Sequence, residues 1–190
     1  MDEVLVYVFS PDEFETYMSA PERDYDHLFE YKDYDTYLSI YKRPYLQSFL
    51  QYLRENTEPI LYSNGVKSYV TAIMNIIDPN NTFRHIICQE DGCTRIVNEK
   101  ENMDEYFKDL NLMNRDLTRS VYIDSKAINF WSHPDNGLPV SEYLADSTIN
   151  DQELLHLIKF LEELKHVPDV REILKEKFQI QKALEESNML

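Results

Sequence analysis

Residues 59–79, PILYSNGVKSYVTAIMNIIDP, contain the pattern that decides the fold class of this chain. Residues 58–62 end in a short apolar run, and the Ser-Asn-Gly that follows is typical of a turn. Apolar residues then recur at helical spacing until Asp78 and Pro79 end the segment, which predicts a helix over residues 66–77. The stretch therefore predicts a strand, a turn and a helix, the repeating unit of an α/β protein.

The same alternation extends to both sides of this stretch. Apolar residues at helical spacing follow Pro44, and proline is well suited to the first turn of a helix. The other predicted elements are strands over residues 4–9, 83–88, 94–97 and 119–124, a helix over residues 44–55 and two helices after residue 150. Strands and helices that alternate in this way indicate an α/β fold with a mainly parallel sheet.

Length and composition indicate a globular protein with one main domain. The chain has 190 residues, of which 43% are apolar, and domains usually run to about 100–200 residues. We predict a domain over residues 1–166 with a tyrosine- and acid-rich insert at about residues 12–41, and a C-terminal helical extension over residues 167–190. Since tyrosine is enriched in protein interfaces, we expect the insert and the extension to contact protein partners.

The formal net charge is −16, from 35 acidic and 19 basic side chains. This balance disfavours nucleic acid binding, because phosphate backbones attract lysine and arginine and repel carboxylates. An acidic surface instead favours basic protein partners. No run of about 18 apolar residues is present, so we predict no transmembrane segment. The start, Met-Asp-Glu-Val, resembles neither a secretory signal nor a transit peptide.

The two cysteines, Cys88 and Cys93, are five positions apart. A zinc site would need two further ligands, and the nearby histidine, His85, supplies one at most. We therefore expect buried or partly buried thiols, and neither a metal site nor the disulfide framework of a secreted protein. The sequence predicts no cofactor.

A series of short motifs follows in a specific order along the chain. They are Lys42-Arg43-Pro44, Ile60-Leu-Tyr-Ser63, Asp78-Pro79, Phe107-Lys108-Asp109, Asn114-Arg115-Asp116, Val121-Tyr-Ile-Asp124, Pro134-Asp-Asn136, Phe160-Leu-Glu-Glu-Leu164 and Asp169-Val-Arg171. In this order the chain resembles the phosphatase domain of the haloacid dehalogenase superfamily, over roughly residues 40–175 and the opening strand. The resemblance implies a three-layer sandwich, with the central sheet flanked by helices.

The branch it resembles is shared by the small phosphatases of the RNA polymerase tail, with their FCP-type domain, and the Tim50-type receptor of the mitochondrial inner-membrane translocase. The segments near residues 160–171 are closer to the Tim50-type receptor. We therefore expect the chain to be similar to that subunit.

In active members, the resemblance implies phosphoryl transfer to an aspartate. The first carboxylate of an Asp-x-Asp motif attacks phosphorus, and the second protonates the leaving oxygen and helps to hold magnesium. A hydroxyl and a lysine neutralise the phosphoryl oxygens, and a later aspartate completes the metal shell. Ser63, Lys108 and Asp124 match these three positions, although Ser125 stands where asparagine is usual.

The Asp-x-Asp motif is absent in every alignment with the end of the strand over residues 4–9. Its two aspartate positions fall on Tyr7 and Phe9, on Val8 and Ser10, or on Ser10 and Asp12. None of these pairs supplies the attacking carboxylate. We therefore predict an inactive homologue without catalytic, cofactor-binding or metal-binding residues.

Without a nucleophile, we interpret Ser63, Lys108 and Asp124 as vestigial matches with ordinary structural roles. Ser63 would cap the helix that follows it. Lys108 would be a solvated turn residue, and Asp124 would cap the turn between a strand and a helix. None of these roles requires catalysis.

Three functions remain open on this basis. The first, which we expect, is a pseudo-phosphatase that serves as a structural or protein-interaction subunit of a complex associated with the mitochondrial inner membrane. Its partners would be protein subunits of that assembly. The second is a Tim50-like component of protein import that binds presequences, since these peptides are basic and the chain is acidic. The third is an active protein serine/threonine phosphatase that uses an unrecognised acid.

Overall fold

The structure, a computed structural model, describes residues 1–10, 21–32, 35–92, 94–98, 103–146 and 150–186. The strands are β1 (Val6–Phe9), β2 (His27–Tyr31), β3 (Thr36–Lys42), β4 (Ile60–Tyr62), β5 (His85–Ile87), β6 (Thr94–Asn98), β7 (Met103–Phe107), β8 (Tyr122–Asp124) and β9 (Gly137–Pro139). The helices are α1 (Leu46–Asn56), α2 (Lys67–Ile77), α3 (Gln89–Gly92), α4 (Glu153–Leu164), α5 (Val170–Phe178) and α6 (Ile180–Glu186).

Two parallel strand pairs confirm the α/β class that the sequence predicts. β4 pairs in parallel with β5, with Ile60 opposite His85, and α2 forms the crossover between the two strands. β8 pairs in parallel with β9, with Tyr122 opposite Gly137. The carboxyl ends of β4 and β8 are the places where the motif residues Ser63 and Asp124 lie.

α2 forms where helical periodicity predicts it, because one of its sides is fully apolar. Val70, Ile73 and Ile77 on that side are all 0% exposed, and burying a side chain of this size contributes roughly 1.5–3 kcal/mol. The helix ends as the Asp78 N–H donates to the Met74 carbonyl oxygen at 2.8 Å. α2 is thereby anchored on the core, and its first turn lies next to the end of β4.

β1 does not join the parallel strands. The expectation that the strand over residues 4–9 belongs to the same sheet as the strands that end at Ser63 and Asp124 is therefore wrong. It pairs antiparallel with β3, Val6 opposite Lys42 and Phe9 opposite Ser39, in a separate sheet of order β1-β3-β2. An apolar run predicts a buried strand equally well in either kind of sheet, so the pattern did not identify its partner. The part of the predicted insert that the structure describes contains β2 and β3, which form an antiparallel hairpin.

The main core also contains the apolar sides of α1 and α4. α1 contributes Phe49 and Leu50, and α4 contributes Leu154 and Leu157, all at most 3% exposed. Both helices form where the sequence predicts helices, because their apolar residues recur at a spacing that places them on one face. None of the helices in the described part of the chain has the length and apolarity needed to cross a membrane.

Arg43 is buried and connects three parts of the chain. Its guanidinium donates from Nε to both oxygens of Asp151, at 3.1 and 3.0 Å, and from Nη2 to Ser141 Oγ at 2.9 Å. It also donates to the carbonyl oxygen of Val4 at 3.2 Å. A buried guanidinium is stable only with such partners, so the N-terminal residues are fixed to the segment that begins α4.

α5 and α6 pack on the domain. Leu174 of α5 belongs to the main core, whereas Ile180 of α6 packs with Phe130 in a second apolar cluster. A Cβ atom at Gly137 would lie 2.5 Å from Ile180 Cδ1 and 2.7 Å from Phe130 Cδ1, so only glycine allows this close approach. The predicted domain boundary between residues 166 and 167 stays a prediction.

Candidate functional site

The site begins where β4 and β8 end. Ser63 follows β4 and Asp124 closes β8, and their exposed fractions are only 3% and 6%. The Asp109 backbone N–H donates to the Tyr62 hydroxyl oxygen at 3.2 Å, which holds Lys108 and its neighbour against the end of β4. The fold thus gathers all three motif residues at the carboxyl edges of the parallel strands, where α/β proteins bind ligands.

Lys108 and Asp124 form a buried ion pair. Lys108 Nζ lies 2.7 Å from Asp124 Oδ2, and Lys108 is only 4% exposed, so the interpretation of Lys108 as a solvated turn residue is wrong. The Tyr122 hydroxyl donates to the same oxygen at 3.0 Å, while Lys126 N–H and Asn129 Nδ2 donate to Oδ1 at 3.0 and 2.9 Å.

These partners determine the charge of Asp124. Burial alone would raise the pKa of the Asp124 carboxyl, but the charge and hydrogen bond of Lys108, together with the other donors, outweigh burial and hold that pKa below its usual range. Asp124 is therefore an anion at neutral pH, and it keeps the Lys108 ammonium at the edge of the sheet.

Ser63 plays a different local role from the helix cap that the sequence suggests. Val66, not Ser63, stands at the N-cap position of α2 and makes no side-chain cap hydrogen bond. The Ser63 hydroxyl oxygen instead accepts the Gly65 N–H at 3.1 Å, which fixes the turn between β4 and α2. This contact orients the hydroxyl within the turn.

The first three residues, which the sequence analysis did not assign to the site, belong to it. Leu5 N–H donates to the Met1 carbonyl oxygen at 2.9 Å, so the chain enters a tight turn before β1 begins. Burial lowers the pKa of the Met1 amino group, and the charges of Asp2, Lys108 and Asp124 all act on that group. The charges of the buried ion pair therefore act on the turn that Met1 opens.

Asp2 and Glu3 connect Met1 to both sides of the edge. Asp2 Oδ1 accepts a hydrogen bond from the Tyr69 hydroxyl of α2 at 2.8 Å. Glu3 lies 3.3 Å from the Lys126 ammonium, and its other carboxylate oxygen accepts from the Ser125 hydroxyl at 3.3 Å. Met1–Glu3 thus lies between α2 and the turn after β8.

The N-terminal turn is separate from the positions to which the Asp-x-Asp motif was aligned. The positions tested in the sequence, from Tyr7 to Ser10, lie in or just after a strand of a different sheet, and Asp12 lies outside the described residues. Asp2 instead lies in the N-terminal turn, beside Glu3, whose carboxylate contacts Ser125 and Lys126 just after β8. The signal in the sequence is an acidic residue just ahead of the apolar run, whereas the motif was expected at the end of that run.

The described residues do not by themselves fit a magnesium ion. They contain no group of three His, Cys, Asp or Glu side chains that could hold a metal. Both oxygens of Asp124 are already engaged: Oδ2 accepts from the Lys108 ammonium and the Tyr122 hydroxyl, and Oδ1 accepts from Lys126 N–H and Asn129 Nδ2. Of the two cysteines, Cys88 is a buried thiol, and Cys93 lies outside the described residues.

Comparison with family models decides the affiliation of the chain. The model of the NLI interacting factor-like phosphatases matches residues 1–171. The chain belongs to this family.

Curated relatives support the same affiliation. The chain is 31% identical over 180 residues to CTD small phosphatase-like protein 2 of Dictyostelium discoideum, covering 95% of this chain and 29% of the relative. It is 32% identical over 155 residues to CTD small phosphatase-like protein 3 of Caenorhabditis elegans (80% and 50%) and 34% over 135 residues to Phosphatase Herzog of Drosophila melanogaster (71% and 36%). The chain thus spans half or less of the length of these relatives.

A solved structure supports the fold. The fission yeast RNA polymerase II CTD phosphatase Fcp1, bound to beryllium fluoride, aligns with a TM-score of 0.56 at 22% sequence identity, covering 99% of this chain and 54% of that chain. This similarity confirms the predicted α/β fold.

The comparisons also overturn the predicted function. These relatives are named phosphatases, so the prediction of an inactive pseudo-phosphatase and structural subunit is wrong, as is the link to mitochondrial protein import. The finer likeness to the Tim50-type receptor gains no support from these matches. The third possibility, an active protein phosphatase, agrees with them best.

Proposed function

We propose that this chain forms most of a phosphatase domain that hydrolyses phosphoserine or phosphothreonine esters in a protein substrate. The observation that carries the proposal is the buried Lys108–Asp124 pair at the edge of the sheet, together with the N-terminal turn of Asp2, which Glu3 joins to Ser125 and Lys126 after β8. The names of the relatives support the same class of reaction.

Four residues of the site have a chemical role in this reaction. A transferring phosphoryl group carries a dense negative charge, which a buried ammonium stabilises more strongly than an exposed one. Lys108 supplies that charge, and Asp124 keeps it in place. The Ser63 hydroxyl is a further donor to a phosphoryl oxygen. Asp2 gives a proton to the departing serine or threonine oxygen, which is a poor leaving group as an alkoxide.

The attacking carboxylate has a defined place in this scheme. With Asp2 as the second aspartate of Asp-x-Asp, Met1 is the middle residue, and the first aspartate falls one position ahead of Met1. A carboxylate at that position would attack phosphorus as the ester oxygen leaves with the proton of Asp2. Water would then hydrolyse the acyl phosphate and release inorganic phosphate. The residues from Tyr7 to Asp12, to which the motif was aligned, therefore do not decide whether a nucleophile is present.

The test compares three forms of the protein: the 190-residue chain, the chain preceded by a short apolar strand ending in aspartate, and the same extension ending in asparagine. Phosphate release is measured from a phosphoserine peptide and from p-nitrophenyl phosphate. We expect turnover with the aspartate extension and none with the asparagine extension, and we expect Asp124→Asn to abolish the turnover of the aspartate form. Glu176→Gln, which neutralises an exposed carboxylate of α5, is the matched control. Equal rates with aspartate and asparagine would refute the proposal.

The partners and the location predicted from the sequence remain untested. The acidic surface still favours substrates with basic residues near the phosphorylated position, because the charge of −16 attracts cationic segments. The predicted association with the mitochondrial inner membrane stays a prediction.

A further inference from the structure

We infer that Tyr69 is a positioning residue for Asp2, and that the hairpin strand β2 holds Tyr69 in place through Tyr31. The inference rests on the proposed function, because it assigns to these tyrosines the orientation of the group that protonates the leaving oxygen. It joins the antiparallel sheet to the chemistry at the edge of the parallel strands.

The first step is the contact between Tyr69 and Asp2. The Tyr69 hydroxyl donates to Asp2 Oδ1 at 2.8 Å, the ordinary length for a hydrogen bond between two oxygen atoms. Since Oδ1 accepts the phenol, Oδ2 is the oxygen left to carry the proton to the substrate. Tyr69 thereby determines which oxygen of Asp2 takes part in proton transfer.

The second step is the packing that restricts the Tyr69 ring. A Cβ atom at Gly65 would lie 3.0 Å from Tyr69 Cδ1 and 3.3 Å from Ser63 Oγ, so ring and hydroxyl both approach the glycine closely. Tyr31 covers the ring from another direction, with the two ring centroids 6.1 Å apart at an angle of 69°. Edge-to-face contacts of this kind favour a single ring orientation.

The third step is the anchoring of Tyr31 itself. Tyr31 is the last residue of β2 and only 8% exposed, and its hydroxyl lies 2.9 Å from Ser68 Oγ of α2. Its position is therefore set by both the hairpin and α2. Because proton transfer is sensitive to small errors in donor position, an ordered chain from Tyr31 to Tyr69 to Asp2 affects the rate.

The rates on two substrates with different leaving groups distinguish a positioning role of Tyr69 from a merely structural one. A serine alkoxide needs a proton as it departs, whereas p-nitrophenolate leaves well without one. Tyr69→Phe keeps the ring and its packing and removes only the hydroxyl. With the aspartate-extended chain, we expect kcat for the phosphoserine peptide to fall by about 10- to 100-fold, a part of the general-acid effect. We expect less than a twofold change for p-nitrophenyl phosphate and an unchanged KM.

Three further variants make the assignment specific. Asp2→Asn should show the same selective loss, and Tyr69→Phe should add nothing to it. Tyr31→Leu, which removes the ring contact, should give a weaker loss with the same dependence on the leaving group. Tyr37→Phe changes a tyrosine that is 55% exposed and should leave both rates unchanged.

Two kinetic outcomes would overturn the inference. An equal loss on both substrates would indicate a structural role for Tyr69, and a rise in KM at constant kcat would indicate a substrate contact. Urea unfolding of Tyr69→Phe, Asp2→Asn and the double variant tests the contact without turnover. Additive losses of stability would show that the hydrogen bond is absent. The absence of turnover in all forms, with non-additive unfolding, would refute only the proposed function.

Discussion

Replacing Lys108 with methionine tests the central ion pair of the site most directly. Methionine fills a similar volume but removes the charge, so Asp124 becomes a buried carboxylate without its cation. Breaking a buried pair in this way typically costs about 3–5 kcal/mol. Asp124 retains three neutral donors, from Tyr122, Lys126 and Asn129. We therefore expect a loss near the lower limit, about 3 kcal/mol in the free energy of unfolding at pH 7.

The pH dependence of this loss follows from the direction of the pKa shift. In the unsubstituted protein the pKa of Asp124 is lowered by folding. The stabilisation that the ionised Asp124 gives to the folded protein is therefore present above the pKa of the unfolded carboxyl, about 3.9. It is lost as pH falls through the lower pKa of the folded protein. Without Lys108 the burial effect dominates and raises the pKa of Asp124, so the variant binds a proton more readily. The difference in stability between the two proteins should shrink from pH 7 to pH 4.

Urea unfolding at both pH values measures this difference. Lys108→Met combined with Asp124→Asn should recover part of the stability at pH 7, because no buried charge remains. Lys175→Met removes an exposed lysine paired with Asp135 and should change stability by less than about 1 kcal/mol. A loss that is the same at both pH values, or that the double variant does not reduce, would refute the reasoning.

Three further predictions concern packing, anchoring and substrate charge. Gly137→Ala should lower the free energy of unfolding by about 1–3 kcal/mol, since the added methyl group overlaps Ile180 Cδ1 and Phe130 Cδ1; an unchanged thermal midpoint would contradict this. Asp151→Asn leaves the buried guanidinium of Arg43 without its anion and should cost about 3 kcal/mol in urea unfolding; a neutral effect would show that Arg43 does not depend on Asp151. Phosphopeptides with basic flanking residues should have lower KM values than acidic ones, and the advantage should decrease between 0.05 and about 0.5 M salt because salt screens the attraction; a preference independent of salt would exclude the acidic surface as its cause.

The sequence predicted those parts of the fold whose signals are local. The strand, turn and helix around Ser63 were found because apolar spacing and a Ser-Asn-Gly turn encode them within a few residues. The partner of β1 was not found, because an apolar run carries no information about the strand that will pair with it. The same limitation misdirected the search for the motif, which was aligned with β1 although the fold places Asp2 at the site.

The candidate site was predicted in part. Lys108 and Asp124 were recognised from the order of motifs, but their direct contact depends on tertiary structure. Asn129 and Tyr69 could not be found from their spacing in the sequence. Asn129 donates to Asp124 from the segment after β8, and Tyr69 donates to Asp2 from α2. The predicted inactivity failed because it treated one strand end as the sole possible location of the nucleophile.

The buried guanidinium of Arg43 has a consequence for how the protein opens. It holds the carbonyl oxygen of Val4, two residues after Asp2, and the carboxylate of Asp151, which also accepts the Glu153 N–H in the first turn of α4. The N-terminal turn and the start of α4 therefore cannot detach independently without exposing the same ion pair. We expect them to exchange amide hydrogens as one cooperative unit, so that fraying of α4 dismantles the edge where Asp2 is held.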